Sequence, residues 1–304
     1  MSAVRLTRVT KKYGSQTALR DLSFTVPRGS ICGLIGPNGA GKTTCMGLLA
    51  GLLQPQAGTI DLLESGPFSV ASHAGRLGIM PQDSTPSLHA PIAASLTYYC
   101  ELQGLSSLEA QQEAARCLEL VQLGERSGSK YGELSHGMRR RFSIAQALLG
   151  SPELVLLDEP TSGLDPELVV EIRELICSLR GKSTVVVSSH ILSELESMCD
   201  YAVFLEAGEC VREGPMSAIT NQGAVSRFRL NQEPPMGKLS AALSQCKVKW
   251  SEPYLSVTVP SEQSTEDVNG VCLRICLDSG IGILELSSGD SLESAYMRSR
   301  QERM

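Results

Sequence analysis

The nine residues Gly36, Pro37, Asn38, Gly39, Ala40, Gly41, Lys42, Thr43 and Thr44 have the types and spacing that bind phosphate. They fit the pattern G-x-x-x-x-G-K-[ST]. In such a loop successive backbone N–H groups point into one concavity, and the helix that follows adds the partial positive charge of its N-terminus. Gly39 and Gly41 let the backbone approach a phosphate closely. Lys42 can reach the β- and γ-phosphates, and the Thr43 hydroxyl can ligate Mg²⁺. A glycine-rich turn that cradles nothing would have the same composition, but the flanks decide against it. Ile31 to Ile35 ahead of the loop reads as a buried strand, and Cys45 to Ala50 behind it as the start of a helix.

A second group of residues could complete that chemistry. Leu154 to Leu157 is an apolar strand that ends in two carboxylates, Asp158 and Glu159. Asp158 can hold Mg²⁺ through water. Glu159 can orient and deprotonate an attacking water, a role worth about 10²–10⁴-fold in rate. Gln82, just past the strand around Leu77 to Met80, can lend its side-chain oxygen to a metal or a water. His190 follows the buried run Ser183 to Val187, at the strand edge where α/β sheets bind ligands. Tyr13 is an exposed aromatic that could stack on a base, although a strand-end tyrosine more often packs on its sheet. Ser135 reads as a helix N-cap, and that reading leaves Arg139, Arg140 and Arg141 unexplained. Cations in a first turn oppose the helix dipole at about 0.3–1 kcal/mol each when exposed, which hints at an acidic or phosphate partner. Asp165 before Pro166 is an N-cap with a first-turn proline, and that accounts for both residues.

The elements that must position these groups follow from periodicity. Val4 to Val9 and Leu19 to Val26 read as strands around the polar turn 11–15. From about 91 to 150 the pattern turns helical, and Ser106 with Glu109 forms a capping-box signature. Tyr201 to Leu205 and Cys210 to Arg212 read as a last hairpin. After a boundary near 222 the chain has its own strands at 227–230, 254–259 and 281–286. It also has a helix at 266–277 and a last helix opened by Asp290 and Ser291. With 304 residues there is room for a large and a small domain. A net charge of −6 argues against nucleic acid as a partner. No run approaches the roughly 20 apolar residues of a membrane span, and no leader is visible at Met1. The ten cysteines include no C-x-x-C pair and read as reduced, mostly buried side chains of a cytosolic protein.

Taken in order, these motifs resemble the ATP-binding cassette (ABC) ATPases over residues 1 to about 220. Tyr13 matches the aromatic A-loop, 36–44 the Walker A loop, Gln82 the Q-loop and 134–138 the signature. Leu154 to Glu159 matches Walker B, 162–165 the D-loop, and His190 the switch histidine. The signature upstream of Walker B makes the resemblance specific. It implies an α/β phosphate-loop domain over 1–222 with an antiparallel β subdomain and a helical subdomain at about 85–150, and a small α+β C-terminal domain over 223–304. It also implies ATP hydrolysis by Glu159 and His190 with Lys42, and Mg²⁺ held by Thr43, Gln82 and Asp158. In this family two cassettes pair head to tail, so Ser135 and Gly137 of one chain, with Asp165 nearby, would serve the ATP of the other.

The sequence departs from L-S-G-G-Q at His136 and Met138. His136 replaces a signature glycine, and would cost something there if the backbone needed φ > 0. The tail more loosely resembles that of ATPases serving ABC-2 type exporters. The preferred reading is therefore an exporter ATPase, a homodimer on the inner face of the membrane beneath a separately encoded permease. An importer ATPase would usually carry a larger β-rich barrel. A soluble ABC protein of ribosomes would carry two cassettes, and one that organises DNA long coiled coils. A non-hydrolysing regulatory module would not need both Glu159 and His190.

Overall fold

The computed structural model describes residues 1–82, 89–220, 225–260, 263–288 and 292. It divides into two compact units, Met1–Gly214 and Pro215–Met304. The sequence places the boundary at 222/223. The difference is one short helix, Met216–Thr220, which falls in the second unit.

In chain order the first unit contains β1 (Ser2–Tyr13), β2 (Gln16–Pro27), β3 (Ile31–Ile35), α1 (Lys42–Leu49), β4 (Ala57–Leu62), α2 (Val70–His73) and β5 (Leu77–Met80). Then come α3 (Ile92–Leu102), α4 (Ser107–Leu120), α5 (His136–Ala147), β6 (Leu154–Asp158), α6 (Pro166–Ser178), β7 (Thr184–Ser188), α7 (Leu192–Met198), β8 (Tyr201–Glu206) and β9 (Glu209–Pro215). The main sheet has the order β5-β6-β7-β3-β8-β9, and every ladder from β5 to β8 is parallel. All five residues of β3, β6 and β7 are buried. This is why they read as unbroken apolar runs: a parallel sheet is covered on both faces.

A second, antiparallel sheet has the order β2-β1-β4. β1 runs on to Tyr13, through residues expected as a turn, because bulges shift its register at several points and break the alternation. One apolar core joins both sheets to α1: Val4, Leu22 and Phe24 pack in the same cluster as Leu34, Met46 and Leu156. The expected helical stretch is α3 to α5, and Ser106 and Glu109 form the full capping box. Residues 85–88 of that stretch lie outside the described residues.

The second unit continues with α8 (Met216–Thr220), β10 (Val225–Leu230), α9 (Met236–Ala242), β11 (Lys247–Ser251), β12 (Tyr254–Thr258), α10 (Thr265–Asp278) and β13 (Ile283–Ser288). From β10 onward it is a β-α-β-β-α-β unit with an antiparallel sheet ordered β11-β12-β10-β13. Phe228, Leu230, Leu255 and Val257 of the sheet share a core with Leu239 of α9 and Cys272 and Cys276 of α10. The last helix expected from Asp290 and Ser291 lies outside the described residues except for Leu292.

All ten cysteines are free thiols. Burial pushes Cys45 and Cys117 up to about 12, so neither is a nucleophile at neutral pH. Among the described residues no helix is long and apolar enough to cross a membrane.

Candidate functional site

Sheet order brings distant parts of the sequence to one edge. β6, β7 and β3 are parallel neighbours, so their C-terminal ends lie side by side. β3 delivers the loop 36–44, β6 ends at Asp158, and β7 ends at Ser188, two residues before His190. Parallel sheets bind ligands at this edge.

The loop turns through Gly41, whose φ of 102° is left-handed. A Cβ there would also come within 2.8 Å of the Ala18 carbonyl oxygen, so glycine is required twice over. The first N–H groups of α1 have no partners within the helix. Lys42 is 7 % exposed, and its Nζ donates to the carbonyls of Gly36 at 2.7 Å and Pro37 at 3.2 Å. Burial lowers its pKa, opposed by the carboxylates of Glu159 and Asp158. Ala40 is buried, and its N–H donates to the Pro37 carbonyl at 3.1 Å.

Glu159 is fixed at three points. Its backbone is left-handed, with φ 54°, a costly conformation for a non-glycine residue that persists only when its surroundings hold it. Its N–H donates to the Ser188 hydroxyl at 2.9 Å, and its carbonyl accepts from Arg140 at 2.8 Å. His190 Nδ1 donates to the carboxylate oxygen Oε2 at 2.7 Å. A carboxylate only accepts, so that hydrogen bond puts the ring proton on Nδ1. Ser188 is fully buried and its hydroxyl donates to Asp158 Oδ1 at 2.5 Å. One hydroxyl thus ties together the two acidic residues.

A cavity of about 370 Å³ is lined by Tyr13, Asn38, Gly39, Gly41, Lys42, Thr43, Thr44, Gln82 and Glu159. Tyr13 is 49 % exposed and has the Lys11 ammonium 5.5 Å from its ring centre. Thr43, Gln82 and Asp158 together line an adjoining cavity of about 210 Å³. Their donors are a hydroxyl, an amide carbonyl and a carboxylate, with no thiolate or imidazole among them. That all-oxygen set fits a hard cation such as Mg²⁺.

Ser135, Gly137 and Asp165 do not line either cavity. Ser135 caps α5 by accepting from the Met138 N–H at 3.3 Å, and Asp165 caps α6 by accepting from the Leu168 N–H at 3.1 Å. Gly137 packs against the tip of the Leu168 side chain, which would have to shift to admit a Cβ there. His136 is the first residue of α5 and is not at positive φ, so histidine carries no backbone penalty there.

Each of the three arginines has a partner within the chain. Arg139 donates to the Gly132 carbonyl at 2.9 Å and lies over the Tyr131 ring, and Arg141 pairs with Glu171 at 3.6 Å. Arg140 donates to the backbone carbonyls of Gln82 at 3.1 Å and Glu159 at 2.8 Å. One guanidinium therefore joins the glutamine loop to the acidic pair, a role its place in the sequence does not announce.

A loop that offers N–H groups to phosphate, beside two carboxylates on the same sheet edge, is the working part of phosphate-loop ATPases. The ABC transporter family model matches residues 19–162. The Nod factor export ATP-binding protein I of Burkholderia orbicola (strain AU 1054) is 39 % identical over 214 residues, 69 % of this chain and 70 % of that protein. Its namesake in Rhizobium meliloti (strain 1021) is 38 % identical over 304 residues, 97 % of this chain and 87 % of the relative. The ABC transporter ATP-binding protein YxlF of Bacillus subtilis (strain 168) is 33 % identical over 95 % of this chain and 96 % of its own length. Among solved structures, an ATP-binding subunit of an ABC transporter aligns with TM-score 0.63 at 27 % identity, over 72 % of this chain and 92 % of that one. The chain belongs to the ABC transporter ATP-binding proteins, and its reaction is the hydrolysis of ATP.

Proposed function

We propose that this ATPase drives an exporter, as a head-to-tail homodimer on the cytoplasmic face of a membrane, beneath a permease carried on a separate chain. The observation that carries turnover, rather than passive nucleotide binding, is the three-point fixing of Glu159 beside the phosphate loop. Relatives named for export support the direction of transport, and one of them matches nearly the whole chain, tail included. The head-to-tail pairing is supported by the position of Ser135, Gly137 and Asp165 outside the cavity of their own chain. A partner's cavity gives those residues a ligand to meet.

In this reading Lys42 leaves the Gly36 and Pro37 carbonyls for the β- and γ-phosphates, and Tyr13 stacks on adenine. Water attacks the γ-phosphorus, and its proton passes to Glu159. The bond from that phosphorus to the bridging oxygen breaks, and its electron pair leaves with ADP. His190 already occupies Oε2, so Oε1 is the oxygen that takes the proton. Thr43, Gln82 and Asp158 would hold Mg²⁺, which when bound neutralises charge on the phosphate oxygens.

The testing experiment is purification of the tagged chain from detergent-solubilised membranes. A polytopic membrane protein that co-purifies and stimulates ATP turnover is expected. Full turnover with no membrane partner would instead favour a soluble ABC protein.

Arg140→Ala should lower kcat by about 10- to 100-fold with little change in KM, because it releases the backbone of Gln82 and Glu159 without touching the phosphate loop. Arg140→Lys has no fork to span both carbonyls and should recover only part of the loss. Steady-state ATPase kinetics check both. A chain ended at Pro215 should still fold and bind ATP near full-length affinity, since every cavity residue precedes Gly214. Calorimetric titration of the truncated and full-length chains compares them. The second unit, with the proposed accessory domain 223–304, would then serve transport or dimer lifetime.

A further inference from the structure

The sheet of the second unit is two-faced. Phe228, Leu230, Leu255 and Val257 point to α9 and α10, and the residues between them point the other way. On that other face Arg227, Arg229, Lys247 and Lys249 are all exposed. The pairing register sets Lys249 beside Ser256 and Ser256 beside Arg227, while Lys247 lies beside Thr258. Strands about 4.8 Å apart, with same-face residues about 7 Å apart along each, spread the cations in a grid with hydroxyls between them. None of the four has an ion-pair partner among the described residues. Among the described residues, Glu285, opposite Arg229, is the only acid the register places on that face.

Such a face is a fixed array of positive charge on a chain whose net charge is −6. Residues 289–304 add no net charge to that balance, since they carry three acids and three arginines. Single-stranded nucleic acid would need several stacking aromatics on the strands, and this face has Tyr254 alone. A shallow sheet surface with spaced cations and hydroxyls fits instead a planar array of phosphate monoanions. We propose that this face seats on the anionic phospholipid headgroups of a bilayer. The step rests on the chain being a transporter subunit only in naming a bilayer as the phosphate surface at hand.

The test is flotation of the full-length chain with two kinds of permease-free vesicle, one of phosphatidylcholine alone and one also containing phosphatidylglycerol. Binding is expected only to the second, and it should fall as salt rises. The double variant Arg227→Gln/Lys249→Gln should bind about 25-fold more weakly, near fivefold for each cation lost. Its ATP turnover should match wild type, which reports that the chain is folded and separates this test from the exporter reading. A second variant, Arg229→Gln/Lys247→Gln, should bind about as weakly while keeping the far-UV circular dichroism of wild type, which guards against a fault peculiar to one pair. Equal binding to both vesicle types, or equal binding by wild type and both variants, overturns the proposal. So does wild type that ignores the vesicles but binds oligo(U) through these four cations.

Discussion

Glu159→Gln is expected to cut ATP turnover by about 10²–10⁴-fold while leaving ATP affinity near that of wild type. The amide has the size of the carboxylate and can still accept from His190 Nδ1, so the three-point fixing of residue 159 survives. What it loses is the capacity of the second oxygen to take a proton from water. If closure of the proposed dimer requires ATP and opening requires hydrolysis, the variant accumulates closed. Sedimentation with ATP and Mg²⁺ should then show a dimer that dissociates when ATP is replaced by ADP. A variant that stays monomeric while occupied by ATP would contradict the head-to-tail arrangement, and one that turns over normally would remove Glu159 as the base.

His190→Ala should act through the same carboxylate and is informative beside it. Without the ring, Oε2 loses its donor, and the left-handed backbone of Glu159 is held by Ser188 and Arg140 alone. The loss of rate should therefore be smaller than for Glu159→Gln, and affinity for ATP should again be spared.

The parts of this site that were legible in the sequence are those made of adjacent residues. The loop 36–44, the strand ending in Asp158 and Glu159, and the caps at Ser106, Ser135 and Asp165 are each local in the chain, and the structure forms each of them. What escaped depends on contacts between remote segments. Ser188 reaches back 30 residues to Asp158, and Arg140 reaches 58 residues to Gln82. Neither distance has a periodic signature. The arginines pointed to an anion because their first-turn position opposes the helix dipole. In the fold, carbonyl oxygens, an aromatic ring and Glu171 supply the compensation.

Of two elements of the second unit absent from the expected set, β11 has a legible pattern and α9 has none. In β11 Lys247, Lys249 and Ser251 alternate with Val248 and Trp250, a two-residue period with its charge on the outer face. α9 follows Pro234 and Pro235 and is seven residues long, too short for a helical period to stand out. The His136 substitution resolves the other way. A backbone cost was expected only if the position were left-handed, and it is helical.

Lys42→Ala should abolish ATP binding at concentrations that saturate wild type. The ammonium is buried beside the loop, and a hydrogen bond to a charged group is worth about 1.5–3 kcal/mol. Losing two such bonds to phosphate weakens binding by roughly 10²-fold or more. The variant also separates binding from folding. Burial holds the lysine pKa down, so the folded state binds this proton less tightly than the unfolded chain does. Between the lowered pKa and the ordinary one, the unfolded chain carries more protons, and stability from this group rises with pH. Removing the side chain removes that cost, along with the bonds to the Gly36 and Pro37 carbonyls. The nucleotide-free variant should therefore melt close to wild type. Wild type at 100 times its dissociation constant gains about 2.7 kcal/mol from ATP, and the variant should gain about 0.4 kcal/mol or less at that concentration. Thermal unfolding with and without ATP makes the comparison. An ATP-induced rise in melting temperature equal to that of wild type would sink the assignment of this loop.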